Sequence, residues 1–287
     1  ARTVPRGAIK DRDGNVLASN KKDKNGESYR VYANRAFSQV VGYASNIYGR
    51  AGIELAYDAE LTGLASDPVS DALAKFGADR FDPKDVTLSL SSDLQKAAVA
   101  ALGKRKGAVV MLDPRTGEVL ALASTPTYDA SAIANPDTAR DAFAALQDDP
   151  AQPLLPRATL GRYVPGSVFK IVTAIAGLGS GAITPATTYK QQPAAEKTGL
   201  LVQGFRIRDG HHPATGSTAL DLVHATEVSC NIYYALTGLQ TGGKALVDYA
   251  ARLGFGQPLP FDLPTAASQV TNGGGSQPGG FTDDVEL

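Results

Sequence analysis

Residues 161–178, GRYVPGSVFKIVTAIAGL, place a serine and a lysine three positions apart at the start of a long apolar run. Residues i and i+3 share a face of a helix, so the Ser167 hydroxyl and the Lys170 amine can approach hydrogen-bonding distance. Pro165 and Gly166 place Ser167 near a helix N-terminus, where its backbone N–H and the helix dipole could stabilise an oxyanion. Apolar neighbours around Lys170 favour the neutral amine that a general base requires.

The same pair has a purely structural interpretation. Ser167 could cap a helix while Lys170 extends its amine into solvent along apolar surface. The Ser-x-x-Lys spacing recurs at Ser19 and Lys22, in what we expect to be a charged loop with both side chains solvated. Taken alone, the pattern therefore favours the capping serine.

A second polar motif is Ser229-Cys230-Asn231, which opens the segment SCNIYYAL. Side chains two positions apart can face one side only at a turn or a helix start. Ser229 could relay a proton to a leaving group, and the Asn231 amide could hold both a lysine and a substrate carbonyl. On its own, the motif also fits a helix-capping serine with a polar neighbour.

The surrounding sequence predicts an α+β fold in two domains. Residues 1–85 carry turn signals at Asp13-Gly14, Asn25-Gly26 and Asp82-Pro83, with short apolar pieces between them, and predict a small irregular first unit. The second domain, 86–287, begins with an alternating strand, VTLSLS, and a capped helix that we expect to end at Gly107. Residues 107–125 then predict a β-hairpin. The run after Ser167 is apolar on nearly every face and predicts a core helix, and residues 217–239 and 242–254 predict three further helices.

Composition excludes several classes of function. The chain has 287 residues and a net charge of −1, which gives no sign of a nucleic-acid surface. Its single cysteine, Cys230, rules out an intramolecular disulfide, and with three histidines a zinc site is not expected. No apolar run is long enough to span a bilayer. Because the chain begins with Ala1, we expect the natural start and any anchor segment to precede it.

Other serine-hydrolase arrangements have little support. The sequence contains no G-x-S-x-G elbow, the starting point of an α/β-hydrolase site. His211 and His212 lie in a Gly- and Asp-rich stretch where solvated histidines are the rule. His224 lies in a predicted helix, where packing is the simpler role.

Taken together, the motifs resemble the transpeptidase domain of penicillin-binding proteins, whose set is S-x-x-K, S-x-N and K-T-G. The resemblance is to class B, monofunctional members with a short N-terminal pedestal, which serve bacterial elongation and division. It extends over nearly the whole chain. Besides Y-x-PGS-x-FK and SCN, the segments that resemble the family are RGAIKDRDGNVLAS (6–19), GRAGIELAYDAELTG (49–63) and GAVVMLDPRTGEVLALASTPTYD (107–129).

The resemblance implies a role for each site residue. Ser167 would be the acylated nucleophile and Lys170 its base. Ser229 would relay the proton to the leaving D-alanine, and Asn231 would bind Lys170 and the substrate amide. The backbone N–H of Ser167 would be one oxyanion donor. No metal or organic cofactor is implied.

The third motif departs from the family pattern. Lys197-Thr198-Gly199 lies between the other two motifs, whereas the family places K-T-G about a hundred residues after S-x-N on a strand. We interpret Lys197 as a chance match in a solvated loop. We expect the C-terminal strands of the family's five-stranded sheet to be missing from this chain. Either a second polypeptide completes the sheet, or the fragment folds differently, for example by strand exchange.

The resemblance implies a D,D-transpeptidase that cross-links peptidoglycan stem peptides ending in D-Ala-D-Ala and is acylated by β-lactams. It also implies a membrane-anchored protein on the extracytoplasmic face, with a SEDS-type glycosyltransferase as partner. One alternative is a catalytically incomplete, penicillin-recognising scaffold or sensor. A β-lactamase-like hydrolase ranks below both, because no separate carboxylate motif is placed to activate a deacylating water.

Overall fold

The computed structural model describes residues 5–63, 82–210 and 218–270. The chain divides into two compact units. Unit 1 contains residues up to 161 together with 260–265, and unit 2 contains 162–259 and the residues from 266 onward. Both units mix helices with antiparallel strand pairs, so the predicted α+β class is confirmed.

Unit 1 begins with a four-stranded sheet. Its strands are β1 (Ile9–Lys10), β2 (Val16–Lys22), β3 (Ser28–Tyr32) and β6 (Val86–Thr87), in the order β3-β2-β1-β6. Strand β1 runs antiparallel to β2 and parallel to β6. The predicted turns at Gly14 and Gly26 join these strands, and both glycines have positive φ. The alternation VTLSLS predicted a longer strand than β6, but its partner β1 offers only two residues for pairing.

Short elements complete the first part of unit 1. The strands β4 (Ala44–Ser45) and β5 (Gly49–Arg50) form a small hairpin. The helices are α1 (Ser38–Val41), α2 (Ile53–Ala56) and α3 (Asp58–Thr62), preceded by a 3-10 turn at Arg35–Phe37. A hydrophobic core joins these elements to the sheet, and its fully buried members include Ile9 and Leu61.

The predicted hairpin is the centre of the second part of unit 1. Strands β7 (Gly107–Leu112) and β8 (Val119–Thr125) pair antiparallel, with Val110 opposite Leu122. Helix α4 (Ser92–Leu102) packs against them. It ends at Gly103, which has a φ of +57°, and not at the predicted Gly107, which instead begins β7. Three short helices follow: α5 (Ala130–Ala134), α6 (Ala139–Asp148) and α7 (Arg157–Leu160).

Unit 2 is a group of helices with one small hairpin. A 3-10 turn (Gly166–Val168) leads into α8 (Phe169–Gly179), which contacts α11 (Asn231–Thr241) and α12 (Gly243–Arg252). Between them lie α9 (Gln192–Thr198), the hairpin of β9 (Leu200–Val202) and β10 (Phe205–Ile207), and α10 (Leu222–Glu227). The three predicted helices after residue 217 are thus α10, α11 and α12.

Helix α8 differs from its prediction in one respect. Val172, Thr173 and Ala176 are buried against the neighbouring helices, as expected. Ile171, however, is 51% exposed and Ile175 is 38% exposed. Among the described residues, α11 and α12 cover one side of α8, so the prediction of burial on nearly every face was wrong for the opposite side.

Candidate active site

Ser167 and Lys170 lie on either side of the junction between the 3-10 turn and α8. Gly166 has a φ of +56°, a conformation that favours glycine, and directs the chain into the turn. Ser167 is the middle residue of the turn, and Lys170 is the second residue of α8. The prediction that Ser167 lies near a helix N-terminus is therefore confirmed.

The Lys170 amine is held by the second motif. Its Nζ atom donates to the main-chain oxygen of Ser229 at 2.5 Å, to the Ser229 hydroxyl at 3.0 Å and to Oδ1 of Asn231 at 2.6 Å. The ring of Tyr234 lies 5.7 Å from Nζ, within range of a cation–π contact. Three of the four predicted site residues therefore meet at one point.

The fourth residue does not join this network. The Ser167 side chain is exposed, and its hydroxyl forms no hydrogen bond with any other described residue. The close approach of Ser167 to Lys170 that the i, i+3 spacing allows is thus not realised as a hydrogen bond. Instead, three acceptors on Ser229 and Asn231 hold the amine of Lys170.

The backbone at Ser229 explains how two side chains of one short motif reach the same amine. Helix α10 ends just before this point, and Ser229 takes a φ of +54°. Cys230 then caps α11, with its Sγ atom accepting from the Tyr233 N–H at 3.2 Å. Ser229 and Asn231 therefore flank a chain reversal at a helix start, as the motif requires.

The orientation of the Asn231 amide is fixed on both sides. Its Nδ2 atom donates to the main-chain oxygen of Arg208 at 2.9 Å, while its Oδ1 atom accepts from Lys170. A flipped amide would set its donor against the amine and its oxygen against a carbonyl. The acceptor therefore faces Lys170.

Electrostatics at Lys170 act in two directions. Burial lowers the pKa of the Lys170 amine below its ordinary value, because it disfavours the charged form, while Asp209 and Cys230 oppose this effect. A lysine whose pKa is lowered can supply more neutral amine near neutral pH, which is the form that accepts a proton.

The other residues considered from the sequence lie elsewhere. His224 is exposed, and its Nδ1 atom lies 2.7 Å from Asp221, which raises the pKa of the imidazole. His211 and His212 fall outside the described residues. Lys197 and Thr198 end helix α9, and the hairpin β9–β10 follows. The prediction of a loop at Lys197 was therefore wrong, because this residue lies in a helix. Lys197 is nevertheless exposed, and it does not lie on a strand.

Within the described part of the chain, one group of side chains has donors close enough to share a metal ion. It consists of Glu196, Asp209 and Cys230, whose donor atoms lie within 4.8 Å of one another. Burial raises the pKa of the Cys230 thiol to about 12, so the thiol is protonated, and its Sγ atom donates to Asp209 at 3.3 Å. Hydrogen bonding accounts for this group, and we assign no metal to it.

Sequence reasoning missed the residues that hold Asn231 in place. Asp209 accepts from the Asn231 N–H, and Arg208 contributes only its main-chain oxygen. Neither residue belongs to a motif, and both lie more than twenty positions before Asn231. A main-chain acceptor leaves no mark in the sequence.

Two family models match the chain. The penicillin-binding protein transpeptidase domain matches residues 107–277, and the penicillin-binding protein A dimerisation domain matches residues 6–80. The chain belongs to the penicillin-binding protein family. The resemblance seen in the sequence is thereby confirmed for the family and for its transpeptidase and dimerisation domains. The first match covers all four predicted site residues of this penicillin-binding protein, but it assigns no role to any of them.

Named relatives support the same family. The peptidoglycan D,D-transpeptidase PbpA of Mycolicibacterium smegmatis is 36% identical over 256 residues, covering 85% of this chain and 51% of the relative. The peptidoglycan D,D-transpeptidase MrdA of Acinetobacter baumannii is 33% identical over 230 residues, covering 77% of this chain and 33% of the relative. This penicillin-binding protein thus spans about half the length of its PbpA relative.

Solved structures share its fold. Penicillin-binding protein A from M. tuberculosis, as an imipenem acyl-enzyme complex, aligns with a TM-score of 0.80 and 31% identity, over 94% of this chain and 64% of that one. The D,D-transpeptidase domain from Eggerthella lenta aligns with a TM-score of 0.74 and 35% identity, over 93% of this chain and 57% of that one.

Among the described residues, no helix is both long and apolar enough to cross a membrane.

Proposed function

We propose that this penicillin-binding protein is a D,D-transpeptidase that cross-links peptidoglycan stem peptides through an acyl-enzyme on Ser167. The observation that carries the proposal is the Lys170 amine, held by Ser229 and Asn231 one helical turn from Ser167. Relatives named as peptidoglycan D,D-transpeptidases and a neighbour solved as a β-lactam acyl-enzyme support it.

In the proposed reaction, neutral Lys170 takes the proton of the Ser167 hydroxyl as Oγ attacks the D-Ala-D-Ala carbonyl carbon. The backbone N–H of Ser167 donates to the oxyanion. The C–N bond breaks, and D-alanine leaves as an amine after receiving a proton through Ser229. An acceptor amine then attacks the ester carbonyl carbon, the C–O bond to Ser167 breaks as the new amide forms, and a proton of the amine passes to Oγ of Ser167. Asn231 holds Lys170 and the substrate amide throughout.

The same proposal covers the setting of the reaction. Residues 1–85 would be the pedestal and 86–287 the transpeptidase domain, a division supported by the two family matches. The protein would act on the extracytoplasmic face of the cell membrane, with a SEDS-type glycosyltransferase supplying glycan strands.

One observation favours a second candidate, a penicillin-recognising scaffold or sensor without turnover. The Ser167 hydroxyl has no hydrogen bond to Lys170, so the nucleophile is not engaged with its base in this structure. Such a protein would recognise penicillin without acylation of Ser167.

Intact-mass measurement after incubation with benzylpenicillin tests the proposal. The chain is expected to gain one penicillin, and Ser167→Ala is expected to gain none. Ser19→Ala is a matched control, because Ser19 and Lys22 have the same spacing in strand β2. A persistent adduct on Ser167 supports the transpeptidase, and an adduct lost with turnover indicates a hydrolase. No adduct, or one that survives Ser167→Ala, supports the scaffold.

A further inference from the structure

The carboxylate of Asp209 lies at the first turn of α11, beside the amine-binding residues. Its Oδ1 atom accepts from the main-chain N–H of Asn231 and from that of Ile232, the latter at 3.4 Å. Its Oδ2 atom accepts from Cys230 Sγ at 3.3 Å. Helix α11 is eleven residues long, so its first N–H groups lack partners within the helix and need outside acceptors.

We propose that Asp209 is a positioning residue that acts through Asn231 to hold the acceptor oxygen of that amide against Lys170. The role rests on the proposed function, since it matters only where Lys170 serves as the base. Arg208 and Asp209 are consecutive, and together they hold Asn231 at two points: its main-chain N–H and its Nδ2 atom.

The two points are mechanically linked. The Asp209 carboxylate anchors residues 208–209 to α11, and the main-chain oxygen of Arg208 can accept from Nδ2 only while they stay there. Without this anchor the Asn231 amide can rotate and turn its NH2 group toward Lys170. Two donors would then face each other, and the amine would lose the contact that is now 2.6 Å long.

An ordinary cap would not have this effect. Asp221 caps α10 in the same way, since its Oδ1 atom accepts from the His224 N–H at 2.9 Å. No described contact links Asp221 to the Lys170 amine. Both aspartates therefore cap a helix, but only the helix capped by Asp209 begins with a residue that binds the Lys170 amine.

The test compares Asp209→Ala, Asp209→Asn and the matched control Asp221→Ala. One readout is benzylpenicillin acylation, with the rate at saturation separated from the binding constant. The other is the rate at which acetic anhydride labels the Lys170 amine, measured by peptide mass spectrometry, which needs no activity. Both are measured well below each variant's melting temperature.

For Asp209→Ala, we expect acylation at saturation to slow about tenfold, the effect of one lost hydrogen bond, with the penicillin binding constant unchanged. Lys170 should be labelled faster. Asp209→Asn should recover most of the acylation rate, because its Oδ1 atom can accept from the same two main-chain N–H groups. It loses the bond from Cys230 Sγ and the charge that raises the pKa of Lys170, so its labelling rate should lie between those of the alanine variant and the wild type. Asp221→Ala should lower the melting temperature and leave both readouts as they are.

Equal effects of Asp209→Ala and Asp221→Ala would overturn the proposal, as would an Asp209→Asn variant as impaired as the alanine. If Asp209→Ala does not fold, Asp209→Ser replaces it: a shorter acceptor should give a smaller loss, and no change in Lys170 labelling would count against positioning. A wild-type chain without any adduct would contradict the proposed function alone, because labelling of Lys170 still reports on Asp209.

Discussion

The Nζ atom of Lys170 lies 2.6 Å from the Oδ1 atom of Asn231, although 61 positions separate the two residues in the chain. Packing of α8 against α11 brings them together. The amine is at once partly withdrawn from water and surrounded by acceptors. Burial and the surrounding groups together set the pKa of this amine, and in the proposed reaction that pKa sets the pH dependence of the rate.

Acylation by benzylpenicillin should rise with pH and level off at a pH below the ordinary lysine range. Burial lowers the pKa of Lys170, and the neutral amine is the base in the proposed reaction, so the rate should follow deprotonation of this group. The measurement is the acylation rate across neutral to alkaline pH, within the range where circular dichroism shows a folded chain. Lys170→Arg, which stays charged, should abolish the reaction, and Lys197→Ala should leave the profile unchanged. A rate that falls as pH rises would contradict the role of Lys170.

Glu54→Gln should strongly destabilise unit 1. Glu54 is fully buried, and its two oxygens accept from Nε of Arg6 at 2.8 Å and Nε of Arg30 at 2.7 Å. Loss of the carboxylate leaves the buried Arg30 guanidinium without its counter-charge and leaves Arg6 paired only with Asp58, at a cost of about 3–5 kcal/mol. Urea unfolding measures the change. Arg50→Ala removes the exposed Arg50–Asp58 pair and should cost under about 1 kcal/mol. Similar losses for both variants would show that Glu54 is not a special site.

Ser229→Gly and Ser229→Ala should separate backbone strain from chemistry. Both remove the hydroxyl that contacts Lys170, so both should slow acylation to a similar extent. At a φ of +54°, glycine avoids the steric cost that alanine keeps, so Ser229→Gly should be more stable than Ser229→Ala by about 1 kcal/mol. Thermal unfolding and intact-mass kinetics give the two values. An alanine variant at least as stable as the glycine variant would show that this conformation carries no strain.

Gly42→Ala should destabilise the chain more than Gly26→Ala. Both glycines have positive φ, +76° and +81°, so each substitution carries a conformational cost of about 1 kcal/mol or more, and the ψ of −146° at Gly42 adds to it. A Cβ atom at Gly42 would lie 1.8 Å from the main-chain oxygen of Ala51, whereas one at Gly26 would meet nothing within 4 Å. The difference in unfolding free energy between the two variants measures the Gly42 conformation and the close approach of two backbone segments together. Equal losses would mean that the segment at Ala51 can move aside without cost.

Local patterns predicted much of this fold from the sequence. The hairpin at 107–125, the helices after residue 217 and the turns at Gly14 and Gly26 depend on short-range chemistry that neighbouring residues determine. The length of β6 and the exposed side of α8 depend on what the rest of the chain places beside them. Periodicity measures only what a segment could bury, so it overestimated both.

The candidate site divides in the same way. Ser229 and Asn231 could be grouped with Lys170 because a helix start allows side chains two positions apart to converge. Asp209 and Arg208 could not be found, since one acts through main-chain N–H groups and the other through a main-chain oxygen. The missing hydrogen bond between Ser167 and Lys170 was equally hidden, because the acceptors that hold the Lys170 amine lie 59 and 61 positions away in the chain.

Two contacts at the centre of the site, from Lys170 to the oxygen of Ser229 and from Asn231 to the oxygen of Arg208, end on peptide carbonyls. A carbonyl is present whichever side chain the residue carries. The residue at position 208 can therefore be replaced without loss of the hydrogen bond to Asn231, whereas replacement of Asn231 removes that bond. A homologue with an unrelated residue at 208 can therefore keep this geometry, and a comparison based on side chains alone would overlook the contact.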